Sequence, residues 1–158
     1  MNFDPEMHLS ANFKLREFIQ SNYATRLGMD IMPNEEIVDN LVRLCTTVLQ
    51  PLRNFERSGI RILSGYRPPW LNEAIGGSKN SAHMFGCAAD LVVEGAKNEL
   101  ICRDIAELKL PVDQCILEFP PNGWVHVGIE RVGAPRRNQF LTARALHGKT
   151  QYSEGIHP

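Results

Sequence analysis

Between residues 34 and 52 the apolar side chains return every three or four positions: Ile37, Val38, Leu41, Val42, Cys45, Val48, Leu49 and Leu52. That period predicts a helix with one buried stripe. Asn34 can cap it, and Glu35 and Glu36 then fall in its first turn, beside the positive end of the helix dipole. Pro51 predicts a kink or an end near Gln50, because proline has no N–H and its ring collides with the preceding turn. Residues 60–63 read as a short strand, followed by the turn-rich SGYRPPW and a short helical piece over 71–75 that Gly76 and Gly77 end. AADLVV suits a buried strand, 97–108 an amphipathic helix, and CILEF with WVHVGI a hairpin closed by PPNG. A further short strand is expected over 139–141, and the polar stretch from Arg144 onward is expected to be loose. Helices first, then mostly antiparallel strands with one helix between them, predict an α+β fold: a small sheet packed on helices.

At 158 residues, 43% of them hydrophobic, the chain suits one domain with a sizeable core, the core spanning about 12–143 and a polar tail 144–158. No internal repeat or low-complexity segment breaks it. The 17 basic and 18 acidic residues nearly cancel and form no long single-sign run, so the footprint of a nucleic-acid or anionic-membrane binder is missing. Nowhere do about 18 apolar residues run together, which argues against membrane insertion, and MNFDPEMHLSANFKLREF lacks the apolar centre of a signal peptide. Cys45, Cys87, Cys102 and Cys115 are widely spaced with no C-x-x-C pair, a pattern of reduced, buried thiols.

Of the five histidines, His8, His147 and His157 lie in polar terminal segments and are assigned no role. His83 sits in a glycine-flanked loop. His126 alternates within the apolar WVHVGI, where an imidazole needs a hydrogen-bond or metal partner to offset its desolvation. A hydrolytic zinc site commonly takes two histidines and a carboxylate, leaving one position open for water. His83, Asp90 and His126 supply that set if AADLVV and WVHVGI are neighbours. From these residues alone the commoner reading is a different one: a core histidine satisfied by hydrogen bonds, and an aspartate that belongs to a turn or cap.

The ordered series VLQPLR, SGYRPPWLNEAIGGSKNSAHMFGCAADLVV, DQCILEF and WVHVGI resembles the peptidase M15 family, in particular its phage-associated branch with the D-Ala-D-Ala carboxypeptidase (Hedgehog-like) type of fold. The resemblance runs over about residues 12–143. Its most specific part is S-x-H-x-x-G-x-A-x-D, met here by Ser81, His83, Gly86, Ala88 and Asp90, followed by W-x-H at Trp124 and His126. It implies that His83, Asp90 and His126 bind one zinc ion per chain, which would bring the pKa of a water down to about 7.

Amide hydrolysis also needs a group that takes a proton and later delivers it to the leaving amine. Many family members carry an acid three residues before the last histidine, where this chain has Gly123. Glu118 is then the nearest acid in the hairpin, and members of the branch that resemble this chain carry a glutamate there. A four-residue loop would pair Phe119 with Trp124 and turn Glu118 away from His126, whereas a shift of one, through a bulge at Pro120 or Pro121, turns it inward. A solvent-facing glutamate is the alternative. Arg67 matches an arginine the family uses near substrate, where a guanidinium can grip a carboxylate or stabilise an oxyanion. It can equally be surface decoration. Ser81 either touches substrate or braces its loop, and Gln114 and Trp124 are substrate contacts or structural residues. Gly76, Gly77 and Gly86 shape the loop, and Cys87 is read as core packing.

The resemblance implies a zinc-dependent peptidase that hydrolyses an amide next to alanine in peptidoglycan stem peptides, as a carboxypeptidase or an endopeptidase. A phage endolysin or virion-associated wall enzyme fits, acting as a monomer and held in the host cytoplasm or the virion before it reaches the wall. A bacterial cytoplasmic dipeptidase is the nearer alternative. From a different class comes a non-catalytic structural or wall-binding module of a phage particle that keeps the fold.

Overall fold

The computed structural model describes residues 3–158. A 3-10 turn, Leu15–Phe18, and a short helix, α1 (Asn22–Arg26), lead into the predicted stripe. There Asn34 caps α2 (Glu35–Leu44), its side chain accepting the Ile37 N–H at 2.9 Å. Pro51 does not end the helix near Gln50, and its disturbance falls in the turn before it. The turn before it, Cys45–Leu49, widens to π geometry, with the Gln50 N–H bonded to the Cys45 carbonyl, and the chain runs on as α3 (Gln50–Glu56). A wide turn relieves the collision a proline ring makes with the carbonyl four residues earlier. Thr47 occupies part of the disturbed ladder, its hydroxyl donating to the Arg43 carbonyl at 2.7 Å.

Six strands form one sheet in the order β1 (Ile60–Ser64), β2 (Ala88–Val93), β4 (Trp124–Gly128), β3 (Gln114–Glu118), β5 (Gln139–Leu146), β6 (Lys149–Glu154). Only β3 and β5 run parallel; the other pairs are antiparallel. α4 (Pro69–Ala74) follows β1, and α5 (Asn98–Glu107) links β2 to β3. The fold is therefore α+β with a mostly antiparallel sheet, as the pattern predicted. Among the described residues no helix is long and apolar enough to cross a membrane.

Strand alternation sorts this sheet into two faces. Ala89, Leu91 and Val93 of β2, Val125 and Val127 of β4, and Cys115 and Leu117 of β3 join Leu41, Leu44, Val48, Leu49 and Leu52 of the helical stripe in one buried cluster. Their sequence neighbours, Asp90, Trp124, His126, Ile116 and Glu118, project to the opposite face. The core thus packs against one side of these strands and leaves Asp90, His126 and Glu118 on the other. All four cysteines are free and buried.

The stretch from Arg144 is not loose. Residues 139–154 form a hairpin, with β5 paired to β3 on one side and to β6 on the other. Its polar composition conceals this because β6 is an exposed edge strand, where polar side chains on both faces are tolerated. Thr142, fully buried, anchors the end of the hairpin by donating to the Gly155 carbonyl at 2.8 Å and accepting the His157 N–H at 2.9 Å.

Candidate metal centre and cleft

β1 shifts register between Ile62 and Ser64, stays paired through Ser64 opposite Asp90, and then enters the loop that leads to Arg67. There the Gly65 carbonyl accepts a hydrogen bond from His83 Nδ1 at 2.7 Å. A carbonyl has no proton to give, so His83 is protonated on Nδ1 and presents the Nε2 lone pair on its other side. His83 itself lies on a 3-10 turn, Ala82–Phe85, capped by Ser81. Gly86 closes that turn at φ +65°, and a Cβ there would lie 2.7 Å from the Ile37 carbonyl, so the bend toward β2 requires glycine.

β2 and β4 are neighbours, with Asp90 directly opposite His126. One Asp90 oxygen, Oδ1, lies 2.9 Å from His126 Nδ1 and 3.3 Å from His83 Nε2, and the two ring nitrogens are 3.2 Å apart. The three residues are buried, and their ligand atoms lie within 4.8 Å of one another, so the group can hold a metal ion. The donor chemistry fits a zinc-like cation: two imidazole nitrogens and a carboxylate oxygen converge on one point, with the His83 tautomer already fixed. Burial favours a neutral Asp90, but the facing imidazoles outweigh it and hold its carboxyl well below the usual range. Burial also lowers the His83 pKa, against the pull of Asp90, which keeps the ring in the neutral form a metal needs.

Glu118 faces the same way. It pairs with Trp124 while Ile116 pairs with His126, which sets the inward register. The loop is five residues, 119–123, rather than four. Phe119 turns at φ +51° and its carbonyl accepts the Gly123 N–H at 3.0 Å. A Cβ on Gly123 would fall 1.7 Å from the Glu118 carbonyl oxygen. No side chain can stand at 123 in this loop, so the acid missing from that position and the inward Glu118 are two aspects of one geometry. Burial raises the Glu118 pKa; the nearby His126 and Arg67 oppose this and Asp90 adds to it.

Arg67 is half-buried, not surface decoration. Its Nη2 donates to Ser81 Oγ at 3.3 Å, its Nε is buried without a partner, and the charges of Asp90 and Glu118 reach it. Ser81 also accepts the His83 N–H, so it braces loop and arginine together. A cleft of about 720 Å³ brings together Arg67, Ser81, the three candidate ligands, Gln114, Glu118 and Trp124. Gln114 donates to the Gln139 side chain at 2.7 Å, and Trp124 packs edge-to-face on Phe119 with ring centroids 5.5 Å apart. Tyr152 and Arg137 line the cleft too, and both escaped the reading of the sequence. The one available signal was Tyr152, a lone aromatic in the polar KTQYSE.

A buried two-histidine, one-carboxylate group at the floor of an open cleft, carried on a mostly antiparallel sheet, defines the class: an α+β protein built around a candidate metal centre. The family follows from the sequence as a whole. The family model described as Peptidase M15 matches residues 11–128, most of the chain, and the chain belongs to that family. No curated protein matches closely enough to count as a relative.

Proposed function

We propose that this chain is a zinc-dependent peptidase that hydrolyses an amide bond in peptidoglycan stem peptides, as a carboxypeptidase or an endopeptidase. The observation that carries the reading is the placement of Glu118 on the same face as His83, Asp90 and His126, within one cleft of a peptidase-family chain. His83 Nε2, His126 Nδ1 and Asp90 Oδ1 would hold the zinc. When bound, zinc supplies Lewis acidity, polarising a carbonyl and acidifying water.

The chain's own groups do the rest. Glu118, its pKa raised above the usual 4.5 by burial, accepts a proton from the attacking water on a carboxylate oxygen and hands it to the leaving nitrogen as the amide breaks. Arg67, with donors to spare and Ser81 holding its fork, binds the carbonyl side of the peptide or a nearby carboxylate. Gln114 and Trp124 flank the peptide along the cleft. A module that only bound walls would need neither an inward Glu118 nor a buried guanidinium with a free N–H, so these two features favour the enzyme over the structural alternative. The setting that fits is a phage-encoded wall enzyme, monomeric, held in the host cytoplasm or the virion until it meets peptidoglycan.

Purified sacculi treated with the zinc-loaded chain should release new amino groups, and mass spectrometry of the muropeptides would identify the bond. Glu118→Ala should retain stoichiometric zinc and lose the activity, while His83→Ala should lose the zinc. Sacculi left intact by the wild-type chain would end the peptidase reading, and undiminished zinc in His83→Ala would end the ligand assignment.

A further inference from the structure

The hairpin 139–154 lies beyond the residues the family model matches, yet it supplies one wall of the cleft. Register shows how. Trp124 stands opposite Glu118, Glu118 beside Ala143, and Ala143 opposite Tyr152. Directly paired residues project to the same face of a sheet, so these four side chains form one row across four strands. The next row on the same face is Asp90, His126, Ile116 and Leu141.

Between Glu118 and Tyr152 the row holds only Ala143, whose methyl is wholly buried. Ile116, Leu141 and Ala143 make an apolar cluster separate from the main core, and the first two line the cleft. Tyr152 is 58% exposed, a large aromatic on a strand whose other residues are polar and exposed. The backbones of β3 and β6 are two strand spacings apart, about 10 Å, which leaves room for a small alkyl group between the Glu118 and Tyr152 side chains.

Direction along the cleft follows from the chemistry. A group that protonates the leaving nitrogen stands on the leaving side of the scissile amide. Arg67 and Ser81, bonded to each other, come from the chain between β1 and β2 at one end of the strand order, and Glu118, Ala143 and Tyr152 lie on β3, β5 and β6, progressively farther toward the other end. Resting on the peptidase reading above, we infer that Tyr152 is a specificity-determining residue: its ring walls a subsite, floored by Ile116 and Leu141, for the side chain of the residue that supplies the leaving amine. The subsite takes a small aliphatic side chain and turns away large ones.

The test uses the zinc-loaded full chain and synthetic stem-type peptides that differ only at the residue supplying the leaving amine: glycine, alanine, leucine or phenylalanine. Released amine gives kcat and KM for the wild type, Tyr152→Phe and Tyr152→Ala. The wild type should prefer alanine to phenylalanine by about tenfold or more in kcat/KM, the order of discrimination a shaped apolar pocket provides. Tyr152→Phe should keep that preference. Tyr152→Ala should cut it to about threefold or less, chiefly through KM, with zinc content and melting midpoint unchanged. A Tyr152→Ala variant that keeps the wild-type ranking, or slows all four peptides equally, overturns the subsite and leaves the peptidase intact. A wild-type chain that releases amine from neither sacculi nor any of the peptides overturns the peptidase reading itself, and the subsite with it.

Discussion

At Glu118 the environment of a single residue links the proposed proton transfer to stability. Burial holds its pKa above the ordinary 4.5, so the folded protein binds that proton more tightly than the unfolded chain does. Below about pH 4.5 the group costs nothing; as pH rises through the raised folded value, the buried carboxylate ionises and stability is lost. Metal-free Glu118→Gln should therefore match the wild type at about pH 4 and be the more stable of the two at about pH 7, in urea unfolding at both values. The same substitution should lower kcat of the zinc-loaded enzyme by about 10²–10⁴-fold, since the amide neither takes nor returns a proton. An amide variant less stable than the wild type at neutral pH would show that the carboxylate is held by partners rather than merely tolerated.

Among elements, the β3–β4 hairpin decides whether Glu118 faces the metal ligands. Gly123→Ala places a methyl where the Glu118 carbonyl already stands. The loop must respace, and a slip of one residue turns Glu118 to the other face. Activity should fall about 100-fold or more while zinc content stays stoichiometric, because His83, Asp90 and His126 are held by β2, β4 and the 3-10 turn before β2. Zinc analysis and peptide hydrolysis on the same sample separate the two effects. The candidate ligand set was legible through the resemblance to the peptidase family, since donor types alone left a satisfied core histidine and a capping aspartate open, and the structure brings the three side chains together. Glu118's direction was not, since it depends on loop length, and WVHVGI and CILEF read identically in either register. The form of the disturbance at Pro51 was hidden for a related reason: a proline announces a missing donor, but the π turn that absorbs it has no sequence mark. Tyr152 was hidden by an edge strand, which needs no apolar alternation.

At the scale of the whole molecule, β4 ends and β5 begins beside Gln114, so the segment joining them passes around the start of β3. Asp113 fixes its far end: Oδ1 accepts the Arg137 backbone N–H at 2.7 Å, and Oδ2 accepts Arg137 Nη2 at 2.6 Å. Burial opposes ionisation of Asp113, but the Arg137 donors outweigh it and hold the carboxyl below its usual 3.8. A depressed carboxylate contributes stability above its unfolded pKa and loses it as pH falls through the folded value. Asp113→Asn should accordingly lose about 1.5–3 kcal/mol at neutral pH, the range for a hydrogen bond to a charged group. That deficit should shrink as the medium is acidified below 3.8, as denaturant unfolding over a pH series would show. A deficit independent of pH would mean that the packing of the amide, not the lost charge, is responsible.

His83, Asp90 and His126 come from segments that meet only when β2 and β4 pair across the chain that contains α5 and β3. An unfolded chain offers no comparable site, so any cation the group holds acts as a selective ligand of the native state. Free zinc at a thousand times its Kd would then add about 4 kcal/mol to the unfolding free energy, and the melting midpoint should climb with zinc concentration and drop on chelation. Measured this way, the affinity of the centre and the persistence of the fold would become one quantity, set by the free zinc around the protein.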